Sequence, residues 1–222
     1  MLAHPPVTYG YDDLRRLMSL MTGDEKHSEA STSTLDVLWT LYDRILDIDP
    51  TRTSDPNRDR FYLSKGHGPM AYYAVLTAFG FIDESILPEF GGFGSPLGYH
   101  PDRLRVPGVE ISSGSLGHGL ALAVGAVRAM ELRGNEGRVF ALMGDGELDE
   151  GSNHEAIAVA GRWSMSRLTA IVIDNSSAYL GWPGGIGRRF EVEGWETRAV
   201  DGRDHDALEQ ALGTPHPKRP LV

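Results

Sequence analysis

Cysteine does not occur in this chain of 222 residues. Its absence excludes disulfides, thiolate nucleophiles and metal sites built on sulfur. Positive charge is also scarce. Twenty-one Lys and Arg stand against 31 Asp and Glu, a formal net charge of -10. No basic stripe offsets that acidity, so a nucleic-acid partner is disfavoured. Long apolar runs are missing too. The most apolar helical stretch, 116–132, is interrupted by Arg128 and Glu131, and no segment reads as a membrane span. Residues 1–11 are polar and proline-bearing, without the apolar core and basic flank of a secretory signal. These features together lead to the expectation of a cytoplasmic protein. No GxxxxGK[ST] run occurs, which argues against a P-loop nucleotide enzyme.

What is present suits a folded domain. Hydrophobic residues make up 41% of the chain, enough for a real core. Most of the 27 glycines fall singly between periodic segments, which points to close backbone approaches rather than disorder. An acidic chain that handled phosphates would need local devices for them: metals, helix ends or histidines.

Segments 12–21, 34–46 and 70–79 read as helices, with Thr34 as a candidate cap and Leu35, Leu38, Trp39 and Tyr42 on one apolar face. Residues 49–59 form a polar connection, and 89–107 reads as a long loop. Segment 116–132 is a helix of small residues that can pack close to a sheet. The second half alternates: strand 138–143, helix 153–163, strand 168–174, strand 195–200, helix 205–212, and the start of a strand at 221–222. Such alternation predicts an α/β fold, a mostly parallel sheet flanked by helices on both faces. One domain spanning 1–222, with a helical N-terminal segment, is expected.

The strand VFALM runs into Gly144-Asp145-Gly146, and the strand LTAIVI runs into Asp174-Asn175. A return helix fills the interval, so Asp145 and Asn175 fall at the carboxyl ends of two parallel strands. Open α/β sheets bind ligands at that edge. A carboxylate and an amide oxygen are hard ligands suited to Mg²⁺ or Ca²⁺, and Mg²⁺ commonly completes its shell with substrate phosphates. Gly144 and Gly146 remove side chains where a diphosphate must lie against backbone, and the next helix can offer its N-terminal amides. The plainer reading of a lone GDG is a sharp turn whose Asp caps the following helix. Paired strand ends at this spacing favour the metal site.

His27, His67 and His100 lie in three separate loop-like segments. Singly, each is more often a surface or core residue than a functional one. Three in polar, glycine-bearing loops of an acidic chain suggest a pocket for phosphate or hydroxyls. Gly114-Ser115-Leu116-Gly117 precedes a helix, and its plain reading is a helix start capped by Ser115.

GDGELDEG, HEAIAVAG and AIVIDN together resemble the thiamine-diphosphate signature as transketolases carry it. LSKGHGPMAYYA, YHPD, PGVEISSGSLGHGLALAVG and RRFEVEGWETRAVDGRD extend the resemblance over most of the chain, from about residue 12 onward. The resemblance implies that Asp145, the Asn175 side chain and the Ser177 backbone carbonyl ligate Mg²⁺ or Ca²⁺. It implies that Gly146 contacts the diphosphate of thiamine diphosphate, and that Glu150 braces the cofactor site and its subunit contacts. Gly114 would face the aminopyrimidine, with Ser115 beside it, and Leu116 would shape the bent cofactor. His27 would face substrate, His67 would touch both diphosphate and substrate, and His100 would bind the donor sugar's hydroxyls. Around His27 the chain departs from the family: Lys26 replaces a glycine, and Ser28-Glu29 replace Pro-Gly. A substrate entrance of different shape follows, with room for a sugar other than the usual phosphorylated ketoses.

In transketolases the glutamate that activates the aminopyrimidine sits on a separate, pyrimidine-binding domain, which these segments do not include. The resemblance therefore implies one half of a split transketolase, working with a C-terminal subunit in a symmetric heterotetramer; a shortened product is the alternative. The implied reaction moves a two-carbon ketol unit between sugars or sugar phosphates. Two other readings stay open: a subunit of another thiamine-diphosphate enzyme, such as a 1-deoxyxylulose phosphate synthase or a 2-oxoacid dehydrogenase, or a non-catalytic partner-binding remnant of the fold.

Overall fold

The computed structural model describes residues 7–22 and 32–222. A 3-10 turn (Tyr11–Asp13) leads into α1 (Leu14–Leu20). Helix α2 (Leu35–Thr40) runs on into a π turn (Leu41–Ile45), followed by β1 (Arg60–Leu63) and α3 (Met70–Ala78). After a long loop come α4 (Gly119–Arg133), β2 (Val139–Gly144), α5 (Gly151–Arg162), β3 (Leu168–Ile173), α6 (Gly185–Glu191) and α7 (His205–Gly213).

The strands pair in parallel in the order β1-β2-β3, with Leu63 opposite Leu142 and Gly144 opposite Ile173. Strands buried on both faces read as continuous apolar runs, and VFALMG is buried along its whole length. Alternate residues serve opposite faces. Phe140, Leu142, Phe61 and Ile171 pack with α1, α2, α3 and α7 in one core. Val139, Ala141, Met143 and Ala170 pack with α4, α5, Phe190 and Trp195 in the other. Each fully buried large apolar side chain contributes about 1.5–3 kcal/mol, so the two cores fix the sheet from both sides. Trp195 also donates its indole N–H to the Ile157 carbonyl at 2.9 Å, so its polar atom is satisfied inside the core.

The amino edge of the sheet is stapled by charge. Buried Asp59 pairs with Arg138, and buried Arg58 pairs with Glu110.

Strands β2 and β3 and the helices other than α6 match the sequence reading. The differences have local causes. Strand β1 carries no alternation and spans four residues between a polar turn and a glycine-bearing loop, so no pattern revealed it. Segment 195–200 makes only a bridge from Glu196 to Leu221, which in turn bridges to Thr169. Thr34 occupies the N-cap position of α2 but makes no cap hydrogen bond. Helix α4 begins at Gly119, after His118, so Ser115 is not its cap. Among the described residues no helix is long and apolar enough to cross a membrane.

Candidate functional site

Because the three strands run parallel and nearly in register, the turns that follow them converge on one edge. β1 opens into Ser64-Lys65-Gly66-His67, β2 into Asp145-Gly146, and β3 into Asp174-Asn175.

Asp145 is 2% exposed. Its carboxylate accepts the Gly146 N–H at 2.8 Å, the Ser177 N–H at 2.8 Å, the Ala178 N–H at 3.2 Å and the Ser177 hydroxyl. Burial acts to raise its pKa, but the Ser177 hydroxyl and these backbone donors outweigh it and hold the group below the ordinary carboxylate range. Asp145 is thus an anion at neutral pH. It also caps the 3-10 turn Gly146–Asp149, so the capping reading of GDG and its placement at the strand edge both hold.

The chain after Asn175 is steered onto Asp145 by Ser176, a non-glycine residue at φ 60, a region L-residues seldom enter. A Cβ on Gly146 would lie 3.1 Å from the Ser177 carbonyl oxygen. The Asp145 carboxylate and the Ser177 main chain therefore meet where two strands end, with Asn175 in the turn between. Among the described residues no three His, Asp or Glu side chains converge in the manner of a metal cluster. The available donors are oxygens of mixed type, a set that suits a hard cation completing its shell with phosphate and water.

The histidine loops close the other side. The His67 and His100 rings stand edge to face with centroids 5.5 Å apart. His67 is partly buried and His100 exposed, so neither belongs to a core. A Cβ on Gly66 would lie 2.6 Å from the Gly114 nitrogen, and one on Gly114 would lie 2.7 Å from the His100 ring. The Ser113 hydroxyl is buried there without a hydrogen-bond partner. Gly117, at φ 86, packs against Glu150, and the Ser152 hydroxyl donates to the Gly117 carbonyl at 2.6 Å. Ser115 is exposed and Leu116 partly so, on the outer turn of this loop. His67, His100, Gly114–Gly117, Asp145, Gly146, Glu150, Asn175 and Ser177 thus lie on the connections at one sheet edge, with Gly144 at the end of β2. His27 lies outside the described residues.

Two buried charges in these turns lie inside GDGELDEG and LSKGHGPMAYYA, yet the sequence reading gave neither a role. Glu147 is 2% exposed and accepts from the Ser64 hydroxyl and, at 2.9 Å, from the Gly117 N–H. Burial pushes its pKa up despite those donors. Lys65 is 8% exposed, with its chain 3.5 Å from a Cβ built on Gly144. Burial lowers its pKa, while Asp145 and Glu147 act to raise it. Spacing alone could not have marked either as buried. Further out, Asp149 accepts the Tyr179 and Leu180 N–H groups and pins the loop that follows Ser177.

A cavity of about 1230 Å³ opens along the far edge of β3, between residues 169–175 and 197–203. It reaches Asn175 but neither His67, His100 nor Asp145, so it is not the pocket these residues form.

Residues 19–220 match the family described as the thiamine diphosphate binding domain of transketolase. The chain is 54% identical over 218 residues to "Ferredoxin fas2" of Rhodococcoides fascians, covering 98% of this chain and 72% of that one. Ferredoxin clusters are held by cysteine thiolates, and this chain has no cysteine with which to hold one. It is 35% identical over 233 residues to an apulose-4-phosphate transketolase subunit from Actinobacillus succinogenes, covering 95% of this chain and 84% of that one. To the 6-deoxy-6-sulfo-D-fructose transketolase subunit SqwG of a Clostridium species it is 34% identical over 192 residues, 84% of this chain and 70% of the relative. Among solved structures, a transketolase mutant (H261F) from Pichia stipitis superposes with a TM-score of 0.72 at 25% identity, covering 92% of this chain. The chain spans 36% of that transketolase.

Proposed function

Since the chain belongs to the transketolase family, through its thiamine-diphosphate-binding domain, we propose that it is the diphosphate- and metal-binding subunit of a two-chain transketolase. The reaction is transfer of a two-carbon ketol unit between sugars or sugar phosphates. The observation that carries this reading is the closure of the Ser177 backbone onto Asp145 across two parallel strand ends, beside a cradle that side chains at Gly66, Gly114 and Gly117 would fill.

The residues present fit the cofactor. Its diphosphate needs close backbone, which Gly144 and Gly146 offer, and a dication, for which Asp145, Asn175 and Ser177 supply hard oxygens. The buried, unpartnered Ser113 hydroxyl gives the cradle a polar atom awaiting a ligand. Thiamine diphosphate, when bound, supplies the carbanion chemistry that no side chain can. The protein's own groups bind and orient. Gly114, Ser115 and Leu116 form the wall toward the rings. Glu150, packed on Gly117, braces that wall and its contacts with the partner. His67 reaches both diphosphate and substrate, and His100 holds sugar hydroxyls, with His27 at the entrance. The whole chain acts as a single domain in this role.

The cofactor's far ring needs a carboxyl group held protonated in a dry interface. Glu147, Asp149 and Glu150 all belong to the turn after β2, at the diphosphate end. A C-terminal subunit with a pyrimidine-binding domain therefore completes the site, and two such pairs form a symmetric heterotetramer. The relatives named as transketolase subunits support this division.

The test is a two-carbon transfer assay on the purified chain with and without its companion. Activity is expected only in the mixture, at the mass of a heterotetramer. Full activity from this polypeptide alone refutes the two-chain reading.

A further inference from the structure

Three segments of the site come from distant parts of the chain, and one side chain joins them. Glu147 Oε1 accepts the Ser64 hydroxyl and the Gly117 N–H, and the Ser64 hydroxyl oxygen in turn accepts the Gly119 N–H at 3.0 Å. The Glu147 main-chain carbonyl accepts the Asn153 side-chain amide at 2.6 Å. Glu147 is therefore tied to the end of β1, the loop before α4 and the first turn of α5, two residues after Asp145.

We propose that Glu147 is a positioning residue that sets the Gly114–Gly117 loop relative to the Asp145 turn, so that the walls for the two ends of the cofactor form as one unit. This rests on the function proposed above. Thiamine diphosphate must be gripped at its diphosphate by the β2 and β3 turns and at its rings by the loop before α4. Two such grips give high affinity only if their separation is fixed before binding, because ordering them on binding costs free energy. Two further bonds hold the loop, from the Ser152 hydroxyl to the Gly117 carbonyl at 2.6 Å and from the Ser113 N–H to the Pro101 carbonyl at 3.2 Å, but neither reaches the Asp145 turn. Gly114 and Gly117 are at positive φ and lack side chains, and the Ser113 hydroxyl finds no partner. The Gly117 N–H depends on Glu147. The steric fit is close as well: a Cβ on Gly119 would lie 2.3 Å from the Ser64 side chain, so Ser64 can approach only because a glycine opens α4. A buried acceptor shared by two donors is costly to remove, because both donors are left without a partner.

The role needs the acceptor oxygen and not the charge, which separates it from an electrostatic part in metal binding. Glu147→Ala and Glu147→Gln are compared in the assembled enzyme by calorimetry with Mg²⁺ and thiamine diphosphate. Hydrogen exchange at the Gly117 and Gly119 amides is read in the same enzyme without cofactor. Glu147→Ala should weaken cofactor affinity by about tenfold, the scale of one lost hydrogen bond, and speed exchange at Gly117 by a similar factor. Glu147→Gln keeps Oε1 and should restore both to within about threefold of wild type, on the same scale. Ser64→Ala removes the bridge to Gly119 while leaving the carboxylate, and should weaken affinity by severalfold even if Glu147→Ala does not fold. Unchanged affinity in Glu147→Ala or Ser64→Ala overturns the proposal, as does a Gln variant no better than Ala. If wild type itself binds no thiamine diphosphate, the functional reading fails instead.

Discussion

The imidazole rings of His67 and His100 stand edge to face, 5.5 Å between centroids, although one follows β1 and the other lies in the long loop after α3. Gly114 lies against the second ring, and Gly66, next to the first, packs on the Gly114 nitrogen. Two polar loops, the one after β1 and the long one between α3 and α4, thus meet around a half-buried and an exposed imidazole, an arrangement suited to binding hydroxyls and phosphate rather than to filling a core.

His67→Ala and His100→Ala should each lower turnover, on the order of a hundredfold where the ring takes part in proton transfer. Neither should move Tm by more than about 2 °C, because neither ring is in a core. Steady-state kinetics and thermal melts on the assembled enzyme check both. Loss of several kcal/mol of stability in either variant would show a core histidine instead.

Asp145→Ala removes the one carboxylate of the proposed metal site together with the acceptor for three main-chain N–H groups. Metal-dependent cofactor affinity should fall by more than about a hundredfold. Calorimetry with Mg²⁺ and thiamine diphosphate in the presence of the partner measures this directly, and unchanged affinity would sink the assignment.

Gly114→Ala places a methyl group 2.7 Å from the His100 ring at a residue with φ 136. A side chain in that backbone region costs about 1–3 kcal/mol, so Tm should drop. Because the exposed ring can yield, the protein should still fold, with His100 displaced and turnover reduced. A variant with wild-type kinetics would show that the loop and His100 do not share a site.

Tyr11 donates to Asp36, which also pairs with His205 at 2.9 Å. Burial, then the hydrogen bond and charge of Asp36, raise the Tyr11 pKa to about 12. A free tyrosine titrates near 10. The neutral phenol's stabilisation is fully present below the unfolded value and is lost as pH rises through the folded one. The wild-type protein should therefore lose stability between about pH 10 and 12. Tyr11→Phe should be less stable at neutral pH yet show a flatter alkaline limb in a Tm-against-pH series. An unchanged slope would remove Tyr11 from the account.

Strands β2 and β3 and the family of the chain were legible from residue order alone. VFALM and LTAIVI are continuous apolar runs, each ending in Gly-Asp or Asp-Asn, and parallel pairing then requires Asp145 and Asn175 to share an edge. Local pattern suffices there because backbone geometry, once parallel, fixes where strand ends lie. The rest was settled by tertiary packing. Strand β1 is short and without alternation, and is held as a strand only because β2 offers it a ladder. The burial of Glu147 and Lys65 is decided the same way, because Ser64, Gly117 and Gly144 come from other elements to cover them. The meeting of His67 with His100, and of Gly117 with Glu150, follows from how loops fold over the sheet edge. Their glycine contacts hold only across distances in sequence that no periodicity encodes.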